Sequence, residues 1–584
     1  MASPRGRGLI AYPARSIEGP TGLWHSTEGG PINNLWSNIS WWTEFSEVDL
    51  VLLGRVYTFN RARERAEAIA VRGNRIVYVG DREGVTRFIG SRTRVIDAGD
   101  RGITPGLIDS HAHLAMWGLY RTRYIDLSYP AVDSIEKLVE VVREASRRRE
   151  KGSWILGRGW NHALYPENRL PNRWDLDRAS EEHPIVLWHT SGHMVVANSL
   201  ALRIAGIDEN TRDPEGGVII RDENGSPTGI LAEKPAIDLI AIRIPRPSIE
   251  DWVESIYRAM SEWISEGITA VKDPTASGYS SDIIEAYRIL RRGGRMIIRV
   301  VALYWTQSLG ELLRGSSLIE GSKDPWLRIP GIKIILDGAL STRTAWISRD
   351  YKGSPGVRGL PTLDLKEFRE IVLEASSRGY MVSVHAIGDM AIEELIGAYE
   401  EAVKRFGRGS NIYTVIHYML PDEGHIDRLR MIGGYAEIQS GFIYFLADAY
   451  YKNLEPDLYN RILPIRSMIS KGLVVCNGSD APVIQYPPRY GIYAAATRES
   501  STGLIVNPGE AISIEEAFAT YTSEASKCLG MEDLIGSIEP GKLADIVIWD
   551  RDPIMVGGAR DILNMRPLYT IVDGKIVFPP PSYS

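Results

Sequence analysis

Cysteine occurs twice in 584 residues, as Cys476 and Cys528, and glutamine three times, as Gln307, Gln439 and Gln485. Two cysteines argue against a disulfide framework and fit a reducing cytoplasm. No apolar run approaches the roughly 20 residues that span a bilayer. The opening stretch MASPRGRGLIAYPARSIEGP lacks the continuous apolar centre of a secretory signal. A basic field is missing too: 67 Lys and Arg against 74 Asp and Glu leave a net charge of −7, which argues against nucleic acid or a membrane as partner. The charges are interspersed and read as solvated surface. Scarce glutamine beside plentiful Arg, Glu and Ile leans towards a thermophilic composition. What remains is globular, 44% hydrophobic and 9% aromatic, in a chain too long for one simple domain.

Residues 1–46 are rich in Gly, Pro, Ser and Asn and carry Trp24, Trp36, Trp41 and Trp42 without periodicity. They read as an extension that packs over the main body, because free tails seldom hold so many aromatics. From Val48 the texture changes to short strands, with AIAVRGNRIVYVGD forming a hairpin signal around Gly73-Asn74. LADIVIWD and YTIVDGKIVF repeat that texture at the far end, so 47–104 and 536–580 are expected to pair as one small β domain. Between them, 105–535 alternates strand-like runs with amphipathic helices. The strand series 106–113, 268–274, 297–304, 331–337, 381–387, 413–418, 434–439 and 472–480 gives eight, the number that closes an α/β barrel. The long gap between the first two implies an inserted subdomain over 120–265, on the side that shapes a substrate pocket.

Six polar residues sit at or near the ends of these apolar runs: His111 and His113 in GLIDSHAH, Lys333 in GIKIILDG, His385 in MVSVHAIGD, His417 in YTVIHYM, and Asp480 in LVVCNGSD. Buried strands have no reason to end repeatedly in ionisable groups, since a buried charge without a partner is costly. Two residues apart on a strand share a face, so His111 and His113 can reach one cation. His385 and His417 can reach a second. Asp480 can ligate a metal and also handle protons. Lys333 cannot ligate as an ammonium, but a buried neutral lysine can add CO2 to form a carbamate that bridges two cations. The competing role for Lys333 is a salt bridge with Asp337 or a rim carboxylate.

TPGLIDSHAHL, GIKIILDGA, VHAIGD, the later strand histidine and NGSDAPV together resemble the amidohydrolase superfamily. The resemblance is to its YtcJ-like or amidohydrolase-3 branch, which includes N-substituted formamide deformylase. It extends from Val48 to Phe578 through GWNHALYPENRLPNRWDLD, HTSGHMVVANSLAL, GSPTGILAE and SIEPGKLADIVIWDRDP. The resemblance implies a (β/α)8 TIM barrel with a β-sandwich made from both chain ends, and one or two divalent metal ions, usually zinc. Residue by residue, His111 and His113 would hold the first metal, Lys333 would be the carboxylated bridge, His385 and His417 would hold the second, and Asp480 would be the acid/base ligand. Relatives often read Glu-His-Ala around the sixth-strand histidine, where this chain has Ile416-His417-Tyr418.

The chemistry so implied is metal-dependent hydrolysis of a C–N bond in a small amide, N-formyl or N-acyl amine. His193 in HTSGH, Trp160 with His162 in GWNH, and Arg343 in DGALSTRT are candidate substrate contacts; the competing roles are a structural rim histidine and an ion pair for Arg343. Glu233 in TGILAE recurs in the family without a clear role. Asp389 reads as the N-cap of the following helix, and His25, His183 and His425 as surface or structural residues. A deaminase, an ester or lactone hydrolase and a non-catalytic regulator are the competing functions. The presence of all six candidate ligands argues against the last. A homodimer is the default assembly.

Overall fold

The runs marked as buried strands all form strands. In the computed structural model, which describes residues 47–278 and 280–579, eight parallel strands follow one another in a single sheet. They are Leu107–Asp109, Ile268–Asp273, Arg299–Trp305, Leu327–Ile335, Met381–Ala386, Tyr413–His417, Tyr435–Ile438 and Val474–Asn477. Each pairs with its neighbour in sequence. The ring is drawn together just beyond the first and last strands, where Ser110 N donates to Asn477 O at 3.1 Å and Asp480 N to His111 O at 2.7 Å. The strands can be apolar on their outer face because helices cover it. Val384, Val415, Ile438 and Val475 share one core with Phe368 and Ile371 of helix Leu365–Ser377 and with Ile392 and Leu395 of helix Asp389–Phe406. Asp364 caps the first of these helices; Gly388, not Asp389, occupies the N-cap of the second. The Asp389 carboxylate is instead taken by Ser348, whose N–H and hydroxyl both donate to it.

Both ends of the described chain enter one seven-stranded sheet. Its joint is strand Arg94–Pro105, parallel to Leu50–Tyr57 and antiparallel to Ile546–Trp549. One residue later the chain starts the first barrel strand. Arg299, fully buried on the third barrel strand, bolts the sheet to the barrel: its guanidinium donates to Asp545 at 2.7 and 2.8 Å and to Asp573 at 3.1 Å.

The two cysteines, too few for a framework, do form one bond. Cys476 on the last barrel strand is joined to Cys528 at the end of helix Ser523–Cys528. Both side chains are buried and their Cα atoms lie 6.4 Å apart, within bridging range. One bond is not a framework, but it is a bridge that the cysteine count alone did not lead us to expect.

The insertion is a six-stranded sheet from Tyr124–Asp126 to Pro227–Ala232 with helices on both faces. Helix Ile249–Trp263, read as part of the insertion, lies in the barrel's outer layer against helix Leu114–Arg123. The two approach so closely that a Cβ on Gly118 would meet Ser255 O at 1.9 Å. Among the described residues no helix is long and apolar enough to cross a membrane. The aromatic N-terminal extension and His25 lie outside the described residues.

Candidate metal centre and its surroundings

All six polar strand-end residues line one cavity of about 290 Å³, together with Thr275, Trp305 and Val483. The backbone turns sharply where they leave the ladder: His417 has φ +72° and Asp480 φ +58°, conformations side chains other than glycine adopt only when held there. Asp109 does the holding at the first strand. Its carboxylate accepts from Ser479 N at 3.0 Å, Ser479 Oγ at 2.6 Å and His111 N at 3.2 Å, tying the H-x-H turn to the loop that carries Asp480. Gly478 fits between them because a Cβ there would sit 2.5 Å from His111 N.

Each histidine has one ring nitrogen fixed by a neighbour. His111 Nδ1–H donates to Glu437 Oε1 at 2.8 Å, and Glu437 Oε2 is ion-paired with the buried Lys272. His113 Nδ1 meets Thr275 Oγ1 at 2.7 Å. His417 Nδ1–H donates to Gln439 Oε1 and His385 Nε2–H to Gly338 O at 3.0 Å. The remaining ring nitrogens are left to the cavity that the residues line. His111 Nε2 and His113 Nε2 converge on Asp480 Oδ1 at 3.3 and 3.0 Å. Ligand atoms of His111, His113 and Asp480 all lie within 4.8 Å of one another. Two nitrogens and one carboxylate oxygen form the donor set that divalent zinc-like cations take, and outward hydrogen bonds that orient ligating imidazoles are the usual support of such sites.

The electrostatics suit the same reading. Burial raises the Asp480 carboxyl, but its hydrogen bonds to His111 and His113 outweigh that and hold it well below the usual range. Burial, then the Lys333 charge, pulls His385 down to about 3. Burial, then His385, pulls His417 far down as well, so both present neutral rings. Lys333 is brought to about 7 by burial, against the opposing pull of Glu437 and Asp480. Asp337 is not its partner: that carboxylate accepts the amides of Trp346, Ile387 and Gly388. Among the described residues no carboxylate lies within ion-pairing distance of the Lys333 ammonium.

The other candidate contacts are placed elsewhere. Trp160 is fully buried in the insertion's core, its indole N–H donating to Leu187 O at 3.0 Å; it is a packing residue rather than part of the cavity lining. Its ring supports His189, 4.7 Å away centroid to centroid. Arg343 ties its loop to the end of helix Gly441–Asn453, donating to Asn453 Oδ1 at 2.9 Å and Ser354 Oγ at 2.7 Å; among the described residues it has no ion pair, and it does not line the strand-end cavity. His193 is exposed and bonded to Glu233 Oε2 at 3.0 Å, away from the strand-end cavity lining. His183 bonds Ser153 O, and His425 belongs to a capping box. Sequence reasoning passed over Lys272, Thr275, Glu437 and Gln439. Their signal is the same one: a polar residue within or just after an apolar run.

Residues 94–578 match the model of the amidohydrolase family, and the chain belongs to that family. YtcJ of Bacillus subtilis is 30% identical over 532 residues, covering 90% of this chain and 98% of its own. N-substituted formamide deformylase of Arthrobacter pascens is 28% identical over 539 residues, covering 90% and 97%. A solved structure of an uncharacterized metal-dependent hydrolase from Pyrococcus furiosus superposes with a TM-score of 0.72 at 26% identity, covering 86% of this chain and 99% of that one.

Proposed function

We propose that this amidohydrolase is a metal-dependent enzyme that cleaves the C–N bond of a small N-formyl or N-acyl amine. The observation that carries the reading is the convergence of six ionisable side chains from strands one, four, five, six and eight on one cavity, each imidazole fixed from behind. His111, His113 and Asp480 would hold one divalent cation, with His385, His417 and Lys333 available to a second; zinc is the ion their nitrogen and oxygen donors suit. A cation held there acidifies water towards neutral pH and draws electrons from a carbonyl oxygen, the two things uncatalysed amide hydrolysis lacks.

The chain's own groups do the rest. Asp480, kept ionised by His111 and His113, accepts a proton from the attacking water on a carboxylate oxygen. It returns that proton to the departing nitrogen, so that amide and water become acid and amine. Lys333, close to neutrality and without a carboxylate against it, adds CO2 at Nζ with release of a proton, giving the carbamate that joins the two halves of the site. Trp305 and Val483 keep the cavity wall apolar beside the reacting carbonyl.

A screen of N-formyl and N-acyl amines with zinc-loaded enzyme tests this, read as amine release beside His385→Ala. Hydrolysis reduced about a hundredfold or more in the variant is the expected result. Equal activity in the variant would remove the site assignment, and no turnover across the screen would remove the substrate class.

A further inference from the structure

A second cavity of about 330 Å³ shares Val483 with the first and extends between the insertion and helix Leu114–Arg123. Arg158, on the insertion strand Ile155–Trp160, lines it. The guanidinium lies over the Tyr120 ring, its central carbon 4.0 Å from the centroid. Stacking fixes the plane of the fork by one face and leaves its edge donors pointing outward. Two other charged residues line the cavity, and Asp126, the register partner of Arg158 on the neighbouring strand, stays beyond ion-pairing distance of it. Arg121 is held by Glu262 at 3.2 Å, and Asp126 accepts Ser128 N at 3.0 Å. Arg158 has neither a carboxylate within 4 Å nor a hydrogen-bond acceptor for its side chain among the described residues. A half-buried guanidinium stacked by one face and without a protein acceptor has its edge donors available to a planar anion. Tyr124 and Thr190 add hydroxyls around it.

We propose that this cavity is the distal subsite of the substrate pocket, and that Arg158 receives a carboxylate at the far end of the amine being released. The proposal rests on the amide-hydrolysis reading and narrows it: the substrate is an N-formyl or N-acyl amine that carries an acid remote from the scissile bond. Arg158 is a specificity residue, not a catalytic one, because it stands apart from the reacting atoms.

A ladder of N-formylglycine, N-formyl-4-aminobutanoate and N-formyl-6-aminohexanoate, each beside its carboxamide, tests both the charge and the reach. The wild-type enzyme is expected to favour the acid over the carboxamide at one chain length by about tenfold or more in kcat/KM, carried by KM, as one charge-assisted pair supplies. Arg158→Gln should bring that ratio close to one, and Arg158→Lys should keep part of it. A wild-type ratio near one at every length overturns the proposal whether or not the variants fold. An unchanged ratio in Arg158→Gln also overturns it. If no probe is hydrolysed, calorimetric binding of the same pairs to the wild-type protein decides the subsite, and the broader screen of N-formyl and N-acyl amines decides the parent reading. Tighter binding of an acid than of its carboxamide, lost in Arg158→Gln, supports it; equal or absent binding overturns it.

Discussion

Glu437 accepts the Nδ1–H of His111 from inside the barrel, although strand seven and strand one are six strands apart in sequence. Its second oxygen is taken by Lys272 on strand two, so three strands meet in one buried chain of charge. The carboxylate stays ionised because the attraction of Lys272 and the His111 hydrogen bond outweigh the cost of burial.

Replacing Glu437 by Gln keeps an acceptor for His111 but leaves the Lys272 ammonium buried without a counter-charge. Such a loss costs about 3–5 kcal/mol, and a ligand stripped of its anionic support binds metal about 10–100-fold less tightly. Thermal unfolding and chelator competition for zinc measure the two effects. Lys272→Met combined with Glu437→Gln should regain most of the stability and none of the metal affinity.

Gly478→Ala forces a methyl group into the gap between the last strand and His111. The added carbon would lie 2.5 Å from His111 N, where backbone has to move. A loss of about 1–3 kcal/mol is expected, together with weaker zinc binding, because the shift reaches the H-x-H turn. Gly321→Ala, whose Cβ meets nothing within 4 Å, serves as the neutral comparison. Denaturant melts of the two variants separate them.

Arg299→Met removes the fork that holds Asp545 and Asp573 and leaves two carboxylates facing one another in poor solvent contact. About 3–5 kcal/mol should be lost. Arg299→Lys should recover only part of it, since an ammonium cannot span both oxygens as a planar fork does. Limited proteolysis should then cut first in the terminal sheet.

Trp160→Ala opens a void in the insertion, at a cost of about 3–5 kcal/mol. Substrate affinity should fall with it while zinc content stays constant, since the indole touches the insertion core and none of the cavity-lining ligands. Metal analysis beside KM values reads the difference.

The barrel was legible because its strands are buried on both faces and announce themselves as largely apolar runs. Their ends were not. The first run spans 106–113 and pairs only at Leu107–Asp109; the last spans 472–480 and pairs only at Val474–Asn477. In both, the residues beyond the ladder are those that turn out of it to bring His111, His113 and Asp480 together. The supporting residues were overlooked for a related reason. Lys272 and Glu437 sit in mid-strand, where a charge looks like an interruption of the pattern until its partner from another strand is known. Trp160 failed in the opposite direction: beside glycine and histidine an indole looks like a pocket wall, and only the packing around it shows a core.

The pairing of Ile103 with Ile548 has a consequence for how this protein comes off the ribosome. From Ile268–Asp273 onward each barrel strand pairs with the next barrel strand to be made, so most of that sheet can assemble as synthesis proceeds. Strand Arg94–Pro105 meets Leu50–Tyr57 early, but its other edge waits for Ile546–Trp549, more than 440 positions downstream. Contacts so distant in sequence form slowly. One edge of that strand stays open to other chains until the last segment arrives, and the two histidines just beyond it wait as well.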